Sequence, residues 1–362
     1  MQRRSFLAKT AVAASAGLIA VPAMAQALPN ISWRLASSFP KTLDTIFGAA
    51  DTFTRRVSAL TGGRFQIRSF AGGEIVPGLQ VMDAVQAGTV EMGHTASYYY
   101  FGKDPSFSFD TAMPFGLTSR QQTAWMEQGG GRELMREFFR AYGIVNFLGG
   151  NTGTQMGGWY RKQIKSTADV KGLKIRIAGL AGRVMERMGA VPQQIAGADV
   201  YPALEKGTID AAEWVGPYDD EKLGLAKVAP YYYTPGWWEA GPQLSFYVGI
   251  KAWEKLPKEY QAAIEAASYE AHLVMQAEYD AKNPAALARL LKSGAKLNYF
   301  SKPILDAAYK ISSEVMDEEA SKNAKFKTIY EPWKRFRQDQ NMWASVSEHQ
   351  MQNYLISIGQ RK

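Results

Sequence analysis

Apolar and polar positions change period several times along the first hundred residues. Ile31-Ser32-Trp33-Arg34-Leu35-Ala36 has the alternation of a half-buried strand. From Asp44 to Leu60 the apolar residues Ile46, Ala50, Phe53, Val57 and Leu60 fall at helical spacing, and Gly62-Gly63 stops the run. Arg64 to Phe70 alternates as a strand should, Val76 to Ala87 returns to the helical period, and Val90-Glu91-Met92-Gly93 reads as another strand. This β-α-β-α-β order with short connections predicts a largely parallel sheet covered by helices.

Further along, Gly143 to Gly150 reads as a strand crossing between two lobes, with a hinge at Gly149-Gly150. Lys174 to Ile177 and Ile209 to Trp214 read as short strands, Leu244 to Ile250 as a strand crossing back, and Pro257 to Lys282 as a long helix. More helix follows Pro303. One internal similarity supports two lobes of related construction. Val81 to Glu91 and Val200 to Asp210, at an offset of 119 residues, both read V-x-x-A-[V/L]-[Q/E]-x-G-T-[V/I]-[E/D]. Each is a helix closed by glycine and followed by a strand. The expected organisation is an α/β chain with mixed sheets. Residues 26–150 plus about 240–300 form the first lobe, 151–239 the second, and 301–362 a C-terminal helical extension.

Composition narrows the function classes. The 362 residues are 46% hydrophobic and 21% charged, ordinary for a globular chain long enough for two cores. There is no cysteine, which excludes disulfides and thiolate metal sites. His94, His272 and His349 are scattered, with no spacing that seats zinc or iron. The net charge of +8 does not point to nucleic acid, because the basic residues are dispersed. Three of them, Arg3, Arg4 and Lys9, lie in the first 25 residues without an acid, leaving +5 for the rest. That leader has paired arginines before Phe6-Leu7, an apolar run from Ala11 to Val21, and Ala23-Met24-Ala25. It reads as a Tat-type export signal cleaved near Ala25, placing the mature chain in the periplasm.

The candidate chemistry lies at strand ends. Arg176 closes one strand, and Glu213-Trp214 closes another before Gly216-Pro217. Ligands of open α/β sheets collect at the carboxyl ends of strands. A planar fork of donors beside an acidic-aromatic pair suits a small carboxylate with a cation beside it. A strand-end ion pair is the alternative reading of the same residues. Asn151-Thr152-Gly153-Thr154-Gln155 enters the second lobe rich in amides and hydroxyls. The aromatic run Tyr231 to Trp238 ends in Glu239, a carboxylate costly to bury without a partner.

At these residues the chain resembles the extracytoplasmic solute receptors of tripartite ATP-independent periplasmic (TRAP) transporters. The resemblance covers essentially the mature chain. It rests on the export signal, Val170-Lys-Gly-Leu-Lys-Ile-Arg176, the block Gly197 to Trp214, and the long helix after Pro257. Glu213-Trp214 with Tyr231 to Glu239 is similar to the subgroup that binds 2-oxo or 2-hydroxy monocarboxylates together with a cation. The resemblance implies a two-lobed periplasmic binding protein fold and no catalysis. It implies that Gln155, Arg176 and Trp214 hold the organic acid. It also implies that Glu213, the main chain of Trp214 and Glu239 surround one cation, sodium or calcium. These oxygens are hard ligands that suit either ion. The first lobe is expected to contribute from Tyr98, Tyr99 or Tyr100, which the sequence does not rank.

The implied partners are the organic acid and the TRAP membrane permease subunits. A second copy of the chain is a further expected partner: Tyr330, Trp333, Phe336, Trp343, Met351, Tyr354 and Leu355 are large groups for a peripheral tail, and interface cores favour such types. The same tail packing back on its own lobes is the competing reading. Alternatives for the ligand are a dicarboxylate, a sugar acid or an amino acid. A periplasmic hydrolase or lyase lacks a G-x-S-x-G elbow and a cysteine nucleophile, and His94 reads as a packing residue.

Overall fold

The computed structural model describes residues 28–359, so the leader lies outside the described residues. The strands in chain order are β1 Ile31–Ser37, β2 Phe65–Phe70, β3 Met92–Thr95, β4 Ile144–Asn151, β5 Trp159–Tyr160 and β6 Lys174–Arg176. They continue with β7 Val191–Gln193, β8 Ala211–Ala212, β9 Tyr231–Thr234, β10 Gln243–Gly249 and β11 Lys296–Tyr299. They form two mixed sheets, ordered β2-β1-β3-β10-β4 and β11-β9-β5-β8-β6-β7. In the first, β1 runs parallel to β2 and β3, as the alternating segments predict, while β10 returns antiparallel between β3 and β4.

Side-chain alternation explains how the first sheet is covered. Trp33 and Leu35 of β1 turn inward while Arg34 between them stays exposed. The helix Gly48–Leu60 lays Ala50, Phe53 and Val57 on that face. Phe53 stacks on Phe246 of β10 at 4.2 Å, and Phe65 stacks on Tyr260 of the long helix at 5.3 Å. The expected helix start at Asp44 moves to Gly48, because Thr42 to Phe47 forms turns. The expected helix from Val76 begins as a short 3-10 turn, Gly78–Gln80, before Val81–Gln86.

The internal similarity is structural. After each helix a left-handed glycine, Gly88 at φ +72° or Gly207 at φ +71°, turns the chain. The next residue then donates to the same place in the helix: Thr89 to the Ala84 carbonyl at 2.9 Å and Thr208 to the Ala203 carbonyl at 3.0 Å. The strands that follow, β3 and β8, keep the 119-residue offset from Met92 to Ala211. Only Ala211–Ala212 of the expected strand Ile209 to Trp214 forms a regular ladder. Its neighbours stay tied to β6 singly, Asp210 donating to the Lys174 carbonyl at 2.7 Å and Glu213 to the Arg176 carbonyl at 3.2 Å.

The long helix runs Lys258–Lys292, ten residues past the expected end, straight through Pro284. Ala285 to Lys292 contains only strong helix formers, which carry it beyond the ring that removes one bond. Its inward row Tyr260, Ala263, Ile264, Ala267 and Ala271 packs on the first sheet, and Tyr279 then reaches Asp219 on the helix Pro217–Leu223 beside the second. The strand after it, β11, pairs parallel with β9 in the second sheet, so the expected first-lobe span to about residue 300 runs past the crossing. Gly150 in β4 sits at φ +130°, where a Cβ would fall 2.1 Å from the Met275 sulfur of that helix.

The tail is the helices Lys302–Lys322, Ala324–Val346 and Glu348–Gly359. It divides the two readings of its aromatics. Tyr330 and Trp333 are buried against Phe109, at 6.4 and 5.8 Å. Trp343, Met351, Tyr354 and Leu355 are exposed, and the last helix buries no residue.

Candidate ligand and cation site

Strand ends from both sheets converge where the sequence placed its candidates. The carboxyl end of β6 carries Arg176, and the segment leaving β8 carries Glu213 and Trp214. The loop after β4 brings Gln155, and the loop after β9 brings Glu239. From the first sheet, the 3-10 turn Ser97–Tyr100 that follows β3 presents Tyr98 and Tyr99. Arg176, Glu213 and Glu239 are at most 2% exposed, and Gln155 and Trp214 are 4% exposed.

The geometry is that of a charged cluster with unmet bonding capacity. Arg176 is ion-paired with the Glu213 side chain. Its Nη1 also donates to the Glu213 carbonyl at 2.8 Å, and its Nε to the Ile195 carbonyl at 3.1 Å. The guanidinium lies 4.8 Å over the Trp214 ring. Its Nη2, the Glu213 Oε2 and the Gln155 Oε1 are buried with no hydrogen-bond partner. Gln155 points its amide nitrogen at the Thr152 hydroxyl at 3.2 Å. The Tyr98 hydroxyl donates to Glu239 Oε2 at 3.4 Å. The Trp214 carbonyl takes no hydrogen bond from the described residues. Buried polar atoms in folded proteins are paired with few exceptions, so several orphans in one place mark a site for a polar guest.

Electrostatics agree. Burial lifts the Glu213 carboxyl to about 7, against the pull of Arg176 and with a further push from Asp220. Burial, then the nearby Glu213 charge, lifts Glu239 well above the carboxylate range. Burial alone would lower the Arg176 guanidinium, but Glu213, Tyr99 and Tyr98 outweigh it and hold it charged. Two buried carboxyls whose charged forms burial disfavours are what a cation would relieve. Their hard oxygens with the free Trp214 carbonyl fit sodium or calcium.

A narrow cavity adjoins the cluster, lined by Tyr98, Tyr99, Thr152, Gln155, Arg176 and Trp214, with Phe39, Ile46 and Leu244 on its apolar side. Glu213 and Glu239 stand behind this lining, bonded to Arg176 and Tyr98. The structure thus ranks the three tyrosines. Tyr98 and Tyr99 face Arg176 and the acids, whereas Tyr100 turns into the first lobe, accepting from the Met82 N–H at 2.9 Å. His94 is a packing residue: its ring bonds Ser37 at 3.3 Å and the Gly149 carbonyl at 2.8 Å, and burial pulls it down to about 4.

Sequence reasoning missed Asp219 and Asp220. Asp220 accepts from Trp159 Nε1 at 2.9 Å and the Tyr232 hydroxyl at 2.7 Å, and Asp219 from the Tyr279 hydroxyl at 2.7 Å. Acids in a first helical turn after Gly216-Pro217 read as ordinary dipole partners at an exposed helix start. Nothing local in the sequence signals their burial.

The sequence model of the bacterial extracellular solute-binding proteins, family 7, matches residues 36–323. A monocarboxylate 2-oxoacid-binding periplasmic protein of Nostoc sp. is 51% identical over 99% of this chain and all of its own length. A TRAP transporter solute-binding protein of Bordetella bronchiseptica is 53% identical with a TM-score of 0.91, covering 92% of this chain and 99% of its own. It was solved as a mixed-occupancy dimer with copurified calcium and picolinate in one active site and an apo site in the other. A TRAP periplasmic solute-binding protein of Pseudoalteromonas atlantica, with bound sodium and pyruvate, is 38% identical with a TM-score of 0.87, covering 91% of this chain and 99% of its own.

Proposed function

We propose that this chain, which belongs to the bacterial extracellular solute-binding proteins of family 7, is the periplasmic receptor of a TRAP transporter for a small 2-oxo or 2-hydroxy monocarboxylate taken up with one cation. The observation that carries the reading is the buried Arg176 Nη2 facing a cavity beside two carboxyls whose charged forms burial disfavours. Arg176 grips the ligand carboxylate by parallel charge-assisted bonds, Gln155 reaches the same group, and Trp214 walls the site. Tyr98 and Tyr99 close it from the first lobe. A sodium or calcium ion held by Glu213, the Trp214 carbonyl and Glu239 supplies the charge that lets these acids and an anionic ligand share one site. The relatives that bind picolinate with calcium and pyruvate with sodium support this choice of partners.

Among the described residues Arg176 is the one cationic side chain lining the cavity, which leaves a second carboxylate without a partner and disfavours dicarboxylates. The role is capture and delivery to membrane permease subunits, without catalysis, after Tat export and cleavage near Ala25. His94, held by Ser37 and Gly149, is no free base for a hydrolase or lyase. The exposed apolar groups of the last helix form a homodimer contact.

A thermal-shift screen of organic acids, with and without sodium or calcium, tests the reading. Selective binding raises the melting temperature by mass action. The expected result is a shift for 2-oxo or 2-hydroxy monocarboxylates that needs the cation. Shifts confined to dicarboxylates, sugar acids or amino acids would replace the ligand class.

A further inference from the structure

Phe115 is the one non-glycine residue with positive φ among the described residues, at +52°. It lies between the helices Ser108–Thr111 and Ser119–Gln128. A bulky residue in the left-handed region costs free energy and persists only where its surroundings fix it. Two partners do so. On one side the Phe115 N–H donates to the Trp237 carbonyl at 2.7 Å, and its ring stacks on the Trp237 ring at 5.3 Å and 16°. On the other, its carbonyl accepts from Arg337 Nη1 at 2.9 Å. Arg337 belongs to the tail helix Ala324–Val346, and its guanidinium lies 5.5 Å over the Trp333 ring. Tyr309 of the preceding tail helix meets the Phe115 ring edge-on at 5.2 Å.

Trp237 stands two residues before Glu239. The loop between them is already held on its far side, where Gln155 donates to the Glu239 carbonyl at 3.1 Å and Gly236 donates to the Gln155 carbonyl at 3.2 Å. Phe115 closes the near side. A line of contacts therefore runs from the tail through Arg337 and Phe115 to Trp237, and the short main-chain loop from Trp237 carries Glu239. We infer that Arg337 and Phe115 are positioning residues for the cation-binding carboxylate Glu239, so that the C-terminal extension is part of the binding machinery rather than an appendage. The inference rests on the reading of Glu239 as a cation ligand. Groups that orient metal ligands from outside the coordination shell change affinity by about 10- to 100-fold when removed.

The test is calorimetric titration of the cation-stripped full-length protein with calcium and with sodium, in the presence of pyruvate. Arg337→Ala is expected to weaken the ion by about tenfold or more. Arg337→Lys, which keeps a donor for the Phe115 carbonyl, retains most of the affinity, and Phe115→Ala carries the test should Arg337→Ala not fold. Phe115→Ala, which loses the stack on Trp237, weakens the ion as Arg337→Ala does. In a Glu239→Gln background Arg337→Ala adds no further loss, because the group it positions is gone. An unchanged ion affinity in Arg337→Ala and Phe115→Ala overturns the inference, as does an equal loss in both backgrounds, which would mark a general structural role. A wild type that takes up neither ion contradicts the proposed function instead.

Discussion

Arg176 meets three kinds of partner at once: a carboxylate, backbone carbonyls and an indole face. Its planar fork is what lets one buried group do so. Arg176→Lys keeps the charge and loses the fork, and is expected to weaken 2-oxo acid binding by about 2–3 kcal/mol, read by calorimetry on the folded variant. Asp219 gives a second prediction. Burial lifts it from an ordinary 3.8 to about 7, and lifts Asp220 to about 6. Between these ordinary and raised values the folded chain holds protons that the unfolded chain has released, so the stability of the cation-free protein falls as pH rises from about 4 to about 7 and then levels. Melting curves at pH 5 and pH 8 are expected to show this drop, with a smaller one in Asp219→Asn; equal drops would mean that Asp219 does not titrate there. That Arg176, Glu213 and Trp214 stand together was legible in the sequence because all three close strands, whereas Gln155 and Glu239 were brought to the same place by the family resemblance. Asp219, and the choice of Tyr98 and Tyr99 over Tyr100, were not legible, because burial and facing direction depend on contacts far along the chain.

Elements were legible where period and punctuation agreed. The strands β1, β2 and β10 fall within a residue of their expected bounds, since alternation or a bounded apolar run marks each. The paired helix-glycine-strand units were legible because the turn needs a glycine at the same place in both. Regular pairing at β8 was overestimated, since Glu213 leaves the ladder to meet Arg176. The long helix was cut short at Lys282 because proline opposes a helix interior, and the strong helix formers after Pro284 overrule it. In β4 the Gly149-Gly150 pair was read as a hinge. What the structure gives for Gly150 is a packing reason, with Met275 occupying the place of its side chain. Gly150→Ala combines that clash with a φ of +130° and is expected to destabilise the protein by about 1–3 kcal/mol, seen as a lower denaturation midpoint. A midpoint within error of the wild type would show that the crossing strand yields freely there.

At the scale of the molecule, the tail has two parts. Its buried portion, with Ile304, Val315, Phe326 and Trp333, completes the core, so a chain stopped before Lys302 would expose that core. Its outer portion leaves Trp343, Met351, Tyr354, Leu355 and Ile356 more than half exposed, an apolar surface that association would cover. Leu355→Asp is therefore expected to convert a sedimenting dimer to a monomer that still binds its acid, and a monomeric wild type at micromolar concentration would end the dimer proposal. The central claim concerns the cleft between the sheets, where acid and cation are taken up together. Calorimetric titration of pyruvate into the mature protein, first stripped of cations and then supplied with sodium or calcium, tests it most directly. Weak binding without the ion and recovery with it is the predicted result; full affinity in cation-free buffer would contradict it.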